Sequence, residues 1–267
     1  MSVLVNRIAL AVEYDGRGFC GWQRQPHCHS VQAELEHALG TIACQPITVY
    51  CAGRTDTGVH ALAQVVHFET AVNRPLRAWS FGVNSHLDSR VAVHWAKPMP
   101  PHFHARFSAC DRSYRYTLLN RATRPGYQAG TVGWERTQLD ADRMHQAAQC
   151  ILGEHDFSSF RSAECQANHA IRCLKKLDIR REKDRVVIEV QANGFLHNMV
   201  RILTGCLLAI GRGERPVSWM SELLVAKDRK LAGVTAPPNG LCFLQPSYPE
   251  EFGVPDFEDI RANPWHP

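Results

Sequence analysis

Two apolar periods alternate along this chain, and their alternation limits the possible folds more than any other feature. Arg7 to Glu13 (R-I-A-L-A-V-E) reads as a strand, followed by a glycine-punctuated turn at Asp15, Gly16 and Gly18. Ser30 then offers a side-chain cap to a helix whose apolar positions Val31, Leu35, Ala38, Leu39 and Ile42 recur at helical spacing. Ile47 to Cys51 and Gln64 to Glu69 return to alternation and are predicted strands. Strand, helix, strand, strand is the order of a split βαβ unit with helices on one sheet face. Leu76 to Leu87 is predicted helical and Val91 to Lys97 a strand. Pro98 to His104, with three prolines in seven residues, reads as a crossing between halves.

The second half repeats the alternation. Ser113 to Leu119, Ala170 to Arg180, Arg185 to Ala192 and Leu241 to Tyr248 read as strands. Asp140 to Leu152 (closed by Gly153), Phe195 to Ile210 (closed by Gly211) and Val217 to Lys227 read as helices. The expected class is α+β, with two similar halves, 1–104 and 105–267, of largely antiparallel sheets flanked by helices. An acidic segment runs from Glu250 to Asp259.

Composition excludes several classes. Of 267 residues, 45% are hydrophobic and 21% charged, which is globular rather than disordered, and a chain this long buries a core without staples. The ten cysteines contain no C-x-x-C pair, which argues against zinc-knuckle spacing and a disulfide scaffold. The start, MSVLVNRIALAVEYDG, lacks the pattern of a signal peptide, and no apolar run approaches the ~20 residues that span a bilayer. A soluble cytoplasmic protein is expected. Thirty Lys+Arg against 26 Asp+Glu permit a polyanionic partner without demanding one.

The segment that carries chemistry is Cys51-Ala52-Gly53-Arg54-Thr55-Asp56-Thr57-Gly58-Val59-His60-Ala61. Glycines let backbone approach a ligand closely, so side chains between them can be displayed at a cleft. An Asp near an Arg stays ionised at neutral pH and can serve as nucleophile, general base or metal ligand; Asp56 can equally cap a turn. Asp56-Thr57-Gly58 also matches the D-T-G of aspartic proteases. Those enzymes need two such carboxylates sharing a proton. This chain has one, so its dyad would have to form across a homodimer, and Arg54 would set a cation beside it. His102 and His104, and the His27-Cys28-His29 triplet, lack a second ligand pair at metal-site spacing, so no metal is expected.

G-R-T-D-T-G-V-H-A resembles the active-site signature of the tRNA pseudouridine synthases of the A type. Three further blocks are similar to that family and appear in its order. The first is Tyr14-Asp15-Gly16 with Phe19, Gly21, Trp22, Gln23, Arg24 and Gln25, then Ser30-Val31-Gln32. The second runs from Phe103 to Ala109 and continues with Arg112, Tyr114, Arg115 and Tyr116. The third is Asn193 to Arg201. The resemblance implies the pseudouridine synthase fold with an active-site cleft between the halves. It also implies isomerisation of uridine to pseudouridine at tRNA positions 38, 39 and/or 40, without cofactor or metal, by a homodimer.

By the same resemblance Asp56 is the catalytic carboxylate, and Arg54 fills the place vacated by the flipped base. Tyr114 packs on the uracil, and Arg201 pairs with Asp56. The resemblance leaves open whether Asp56 attacks C1′, adds to C6 or removes the C2′ proton. Arg24, Arg106, Arg112 and Arg115 can hold RNA phosphates, and Arg172 to Arg185 carries seven Lys/Arg against three acids. Tyr116 reads as core, since a tyrosine on a strand face is more often packed than catalytic. A protein of the same fold that binds or folds RNA without turnover is the alternative, and it has no use for a carboxylate facing phosphates.

Overall fold

A strand buried on both faces reads as a continuous apolar run rather than an alternation. The first strand, β1 (Asn6–Tyr14), is of that kind: Ala9, Leu10, Ala11 and Val12 are all fully buried. The computed structural model describes residues 6–262, so residues 1–5, where the reading of the N-terminus begins, lie outside the described residues. Two compact units form: residues up to Arg112 with those from Phe243 onward, and Ser113–Cys242.

In the first unit, Ser30 caps α1 (Val31–Ala43), its Oγ accepting from the Ala33 amide at 3.3 Å. Cys44 closes the helix in the left-handed conformation. The predicted strand over Ile47 to Cys51 shrinks to β2 (Tyr50–Cys51). Helix side chains take the backbone groups that a neighbouring strand would have used. The Val49 amide donates to Glu36 (3.1 Å) and its carbonyl accepts from Gln32 (3.2 Å). β3 (His60–Thr70) begins four residues earlier than the alternation suggests, because Ala61 pairs with Tyr14 of β1. The predicted helix from Leu76 contains a π-helical turn, Ala78–Gly82, that buries Trp79 against Phe68. β4 (Val91–Met99) runs on through Pro98 opposite Ile8 and pairs antiparallel with β1, as β3 does on its other side.

The second unit holds β5 (Asp111–Asn120), β6 (Gly133–Glu135), α2 (Ala141–Gln149), β7 (Gly153–Asp156), β8 (Ile171–Glu182) and β9 (Arg185–Ala192), followed by α3 (Met199–Gly211) and α4 (Trp219–Ala226). Its strands lie in the order β5-β9-β8-β7, and β6 is parallel to β5. β7, with sequence G-E-H-D, has no apolar alternation and was not expected. α3 starts four residues later than its apolar period, because Asn198 is left-handed (φ 61°). Asn193 and Asn198 hydrogen-bond to Cys173 and Arg201, an option that competes with helix. Arg201 is therefore in the first turn of α3 rather than six residues in. β10 (Leu241–Ser247) follows and lies beside β3, returning the chain to the first unit. There Phe252 joins Ala9, Ala11, Val65, Trp95, Met99, Phe103 and Ala105 in one apolar cluster, against which Ile260 of α5 (Phe257–Ala262) packs.

The basic β8–β9 hairpin is organised around one carboxylate. Glu189 meets Arg115 at 2.8 Å, Lys176 at 3.0 Å and Arg180 at 3.2 Å. Burial works to raise its pKa, yet the three cations hold it at about 2 against an ordinary 4.5. A carboxyl whose folded value is depressed contributes its stability in full above the ordinary value and loses it as pH falls through the folded one. Acid unfolding should therefore draw on Glu189 between pH 4.5 and about 2. Glu189→Gln is expected to lower stability at pH 7 by about 2 kcal/mol and to flatten the loss over that acid range. Urea denaturation as a function of pH measures both. An unchanged slope would mean the cluster is only a solvated face.

Candidate active site

The loop between β2 and β3, residues 52–59, is held from several sides within the first unit. At its start the Ala52 carbonyl accepts from Nε (3.3 Å) and Nη2 (3.1 Å) of Arg112, which also donates to the carbonyls of Ala109 and Arg106. Gly53 is bonded at both its amide and its carbonyl by the side-chain amide of Gln64, which is fully buried. Thr55 is buried with its hydroxyl 2.8 Å from the Tyr14 hydroxyl, and its carbonyl accepts from the Trp22 amide at 3.0 Å. The Asp56 carbonyl accepts from the Val59 amide at 3.1 Å. At the far end, Nδ1 of His60 lies 3.2 Å from the Gly16 amide and 3.1 Å from Asp15.

The consequence is an ordered alternation of directions. Thr55 points inward, Arg54 and Thr57 are exposed, and Asp56 is half-buried between them. Gly21 makes this possible from outside the loop. Its φ is +81°, and a Cβ there would stand 2.7 Å from the Thr55 carbonyl oxygen and 3.0 Å from backbone atoms of Asp56 and Thr57. The Cys51 thiol beneath is pushed up to about 12 by burial, which the charges of Arg54 and Arg106 offset only in part.

In the second unit, Tyr114 of β5 is buried with its ring edge-on to Phe195 at 5.1 Å. Tyr116 is fully buried, donates to the Pro237 carbonyl at 2.8 Å, and is raised by burial above the ordinary tyrosine range despite the nearby charge of Arg201. Arg201 itself is half-buried. Nε donates to the Ala236 carbonyl (2.8 Å) and Nη1 to Asn198 (2.7 Å), which fixes the plane of the guanidinium. Thus Asp56 and Arg54 belong to the first unit, and Tyr114 and Arg201 to the second.

The basic residues divide by what occupies their donors. Arg24 is exposed and bridges to Glu36 at 2.8 Å, and Arg106 is exposed with its guanidinium 5.6 Å over the Phe107 ring. Arg112 and Arg115 are half-buried and spend donors on the carbonyls above and on Glu189. The histidine pairs go to separate neighbours: His102 to Phe252, His104 to Phe107 and His67, His29 to Glu34. Cys20 and Cys28 are paired across the turn before α1, a single bridge rather than a scaffold. The sequence places Tyr14, Gly21 and Trp22 in one block without giving them a structural role, and marks Gln64 only as the start of a strand. The signal for Gln64 was a polar residue at the head of an apolar strand pattern.

A family model described as tRNA pseudouridine synthase matches residues 10–108 and 147–249. A tRNA pseudouridine synthase A from Hydrogenovibrio crunogenus is 53% identical over 248 residues, covering 93% of this chain and 95% of that protein. Those of Xylella fastidiosa and Pseudoalteromonas atlantica are 54% identical, over 93% of this chain and 97% and 95% of theirs. A solved H/ACA RNP bound to a substrate RNA aligns with 75% of this chain at 12% identity and TM-score 0.37, too loose to argue from.

Proposed function

The chain belongs to the tRNA pseudouridine synthases, and from that premise we propose that it isomerises uridine to pseudouridine in the anticodon stem-loop of tRNA, at positions 38, 39 and/or 40. The observation that carries the reading is the clamped loop. It offers one carboxylate, Asp56, half-buried between a buried Thr55 and an exposed Thr57. Relatives named for this activity match the chain across nearly its whole length.

In the reaction the N1–C1′ bond breaks, the uracil turns, C5 bonds to C1′, the C5 proton leaves and N1 takes up a proton in its place. Substrate and product contain the same atoms, so no acceptor or redox partner enters the balance. Asp56 opens the glycosidic bond by attack at C1′, addition at C6 or removal of the C2′ proton. Extracting the base from the stack costs a few kcal/mol, and Arg54 takes the vacated place, where a planar guanidinium stacks and reaches phosphate. Tyr114 packs on the uracil and assists loss of the C5 proton. Arg201 is the ion-pair partner that orients Asp56. The exposed Arg24 and Arg106 meet phosphates, while Arg112 and Arg115 hold the protein surfaces around them. The enzyme acts in the cytoplasm as a homodimer. No helix among the described residues is long and apolar enough to cross a membrane.

Tritium release from [5-³H]uridine-labelled tRNA in buffer with chelator tests the proposal directly. The wild type is expected to release label in step with pseudouridine formed. Retention of tRNA without any release would instead favour a binder of the same fold.

A further inference from the structure

Phe107 and Tyr50 are among the aromatic rings of the first unit that stand in water, at 76% and 51% exposure. They belong to one surface. Tyr50 stacks on His67 with centroids 5.2 Å apart and planes at 23°, and lies 5.7 Å from His104. His104 in turn lies 4.4 Å from Phe107, over which the Arg106 guanidinium stands at 5.6 Å. The row is therefore three rings ending in a cation.

Its geometry is built, not floppy. Nδ1 of His104 accepts from the amides of Arg106 (3.1 Å) and Phe107 (3.4 Å), and the His104 amide donates to Ser108 at 2.9 Å. Nδ1 of His67 accepts from the Ala105 amide at 3.1 Å. Burial and the charges of His104 and Arg7 push His67 down to about 4, and burial with Arg7 and Arg106 lowers His104 as well. Both imidazoles are thus neutral at pH 7, His67 buried and His104 part-exposed beside the rings. The surface adjoins the catalytic loop: Tyr50 precedes Cys51, whose thiol feels the charges of both Arg54 and Arg106.

Exposed aromatic faces beside a cation are how proteins hold unpaired bases, since every base has a π-face and every nucleotide a phosphate. A second copy of this chain is a poorer fit. A stable dimer buries about 800 Å² per partner, and a few ring faces fall well short of that. We propose that Tyr50, His104, Phe107 and Arg106 form a stacking platform for an unpaired anticodon-loop base of the RNA substrate, beside the nucleotide on which Asp56 acts. The platform rests on the isomerase reading for its substrate and adds a contact that recognises single-stranded RNA.

The test compares wild type with Phe107→Ala, Phe107→Leu and Phe107→Trp, all at an exposed position that folding does not depend on. Binding of a fluorescent anticodon stem-loop hairpin and of a blunt duplex of the same stem is read by anisotropy at fixed salt. Loss of one stacked base weakens binding about 5- to 150-fold, and a ring shared with neighbours belongs near the lower end. Alanine and leucine should each weaken the hairpin about tenfold and leave the duplex unchanged. Tryptophan should match wild type, and the turnover defect should appear in KM with kcat kept. Leucine as good as phenylalanine, equal losses on hairpin and duplex, or a change in sedimentation with Phe107→Ala would each overturn the platform. Wild-type tritium release is measured alongside. Its absence would sink the isomerase reading, while the hairpin comparison would still decide the platform.

Discussion

Asp56→Asn is expected to lower tritium release by on the order of 10⁴-fold or more, the scale on which removing an enzyme's reacting group operates. The asparagine keeps the size of the side chain and the backbone bonds that shape the loop, including the Val59 amide on the residue 56 carbonyl. What disappears is the anion, and with it the capacity to attack carbon or accept a proton. Binding should survive: removing a negative charge from a surface that meets phosphates leaves tRNA affinity equal or slightly higher. The pair of measurements is release and filter retention on the same preparation. Activity within about tenfold of wild type would remove Asp56 from the chemistry, and the proposed function would fall with it.

Gly21→Ala is expected to damage catalysis strongly from a residue that never meets the substrate. Two costs combine there. An L side chain at φ +81° costs about 1–2 kcal/mol, and the new Cβ collides with backbone of Thr55, Asp56 and Thr57, which cannot rotate away as a side chain would. The loop must retreat by several tenths of an ångström, carrying Asp56 with it. Misplacement by about 1 Å can cost 10²-fold, so kcat should fall about 10- to 100-fold while the affinity for tRNA changes little. Gly213→Ala separates the two costs. Its φ is +77°, yet nothing lies within 4 Å of the Cβ position. That variant should lose a comparable backbone term in thermal stability and keep full kcat. Equal kcat for Gly21→Ala and wild type would show that the Gly21 contact does not position the carboxylate.

Features governed by neighbours a few residues away were legible in the sequence. The Ser30 cap bonds an amide three residues on, and Ala141–Gln149 is capped by Asp140 in the same way. The strand at Arg185 to Ala192 follows from its apolar pattern. The loop around Asp56 could be singled out because charged residues between glycines rarely serve a core. Features governed by distant partners were not legible. Arg112 and Arg24 are the same residue type in sequence, yet one bonds the carbonyl that opens the loop and the other bridges to Glu36 from an exposed position. Tyr50 and Phe107, 57 positions apart, share a surface through His104. Residues from Phe243 onward join the unit of the first strand rather than that of their neighbours in the chain. Period, capping and charge act over a turn or two and are written in local residue types. Whether a side chain's donors meet solvent or a carbonyl sixty residues away depends on the packing that brings those segments together.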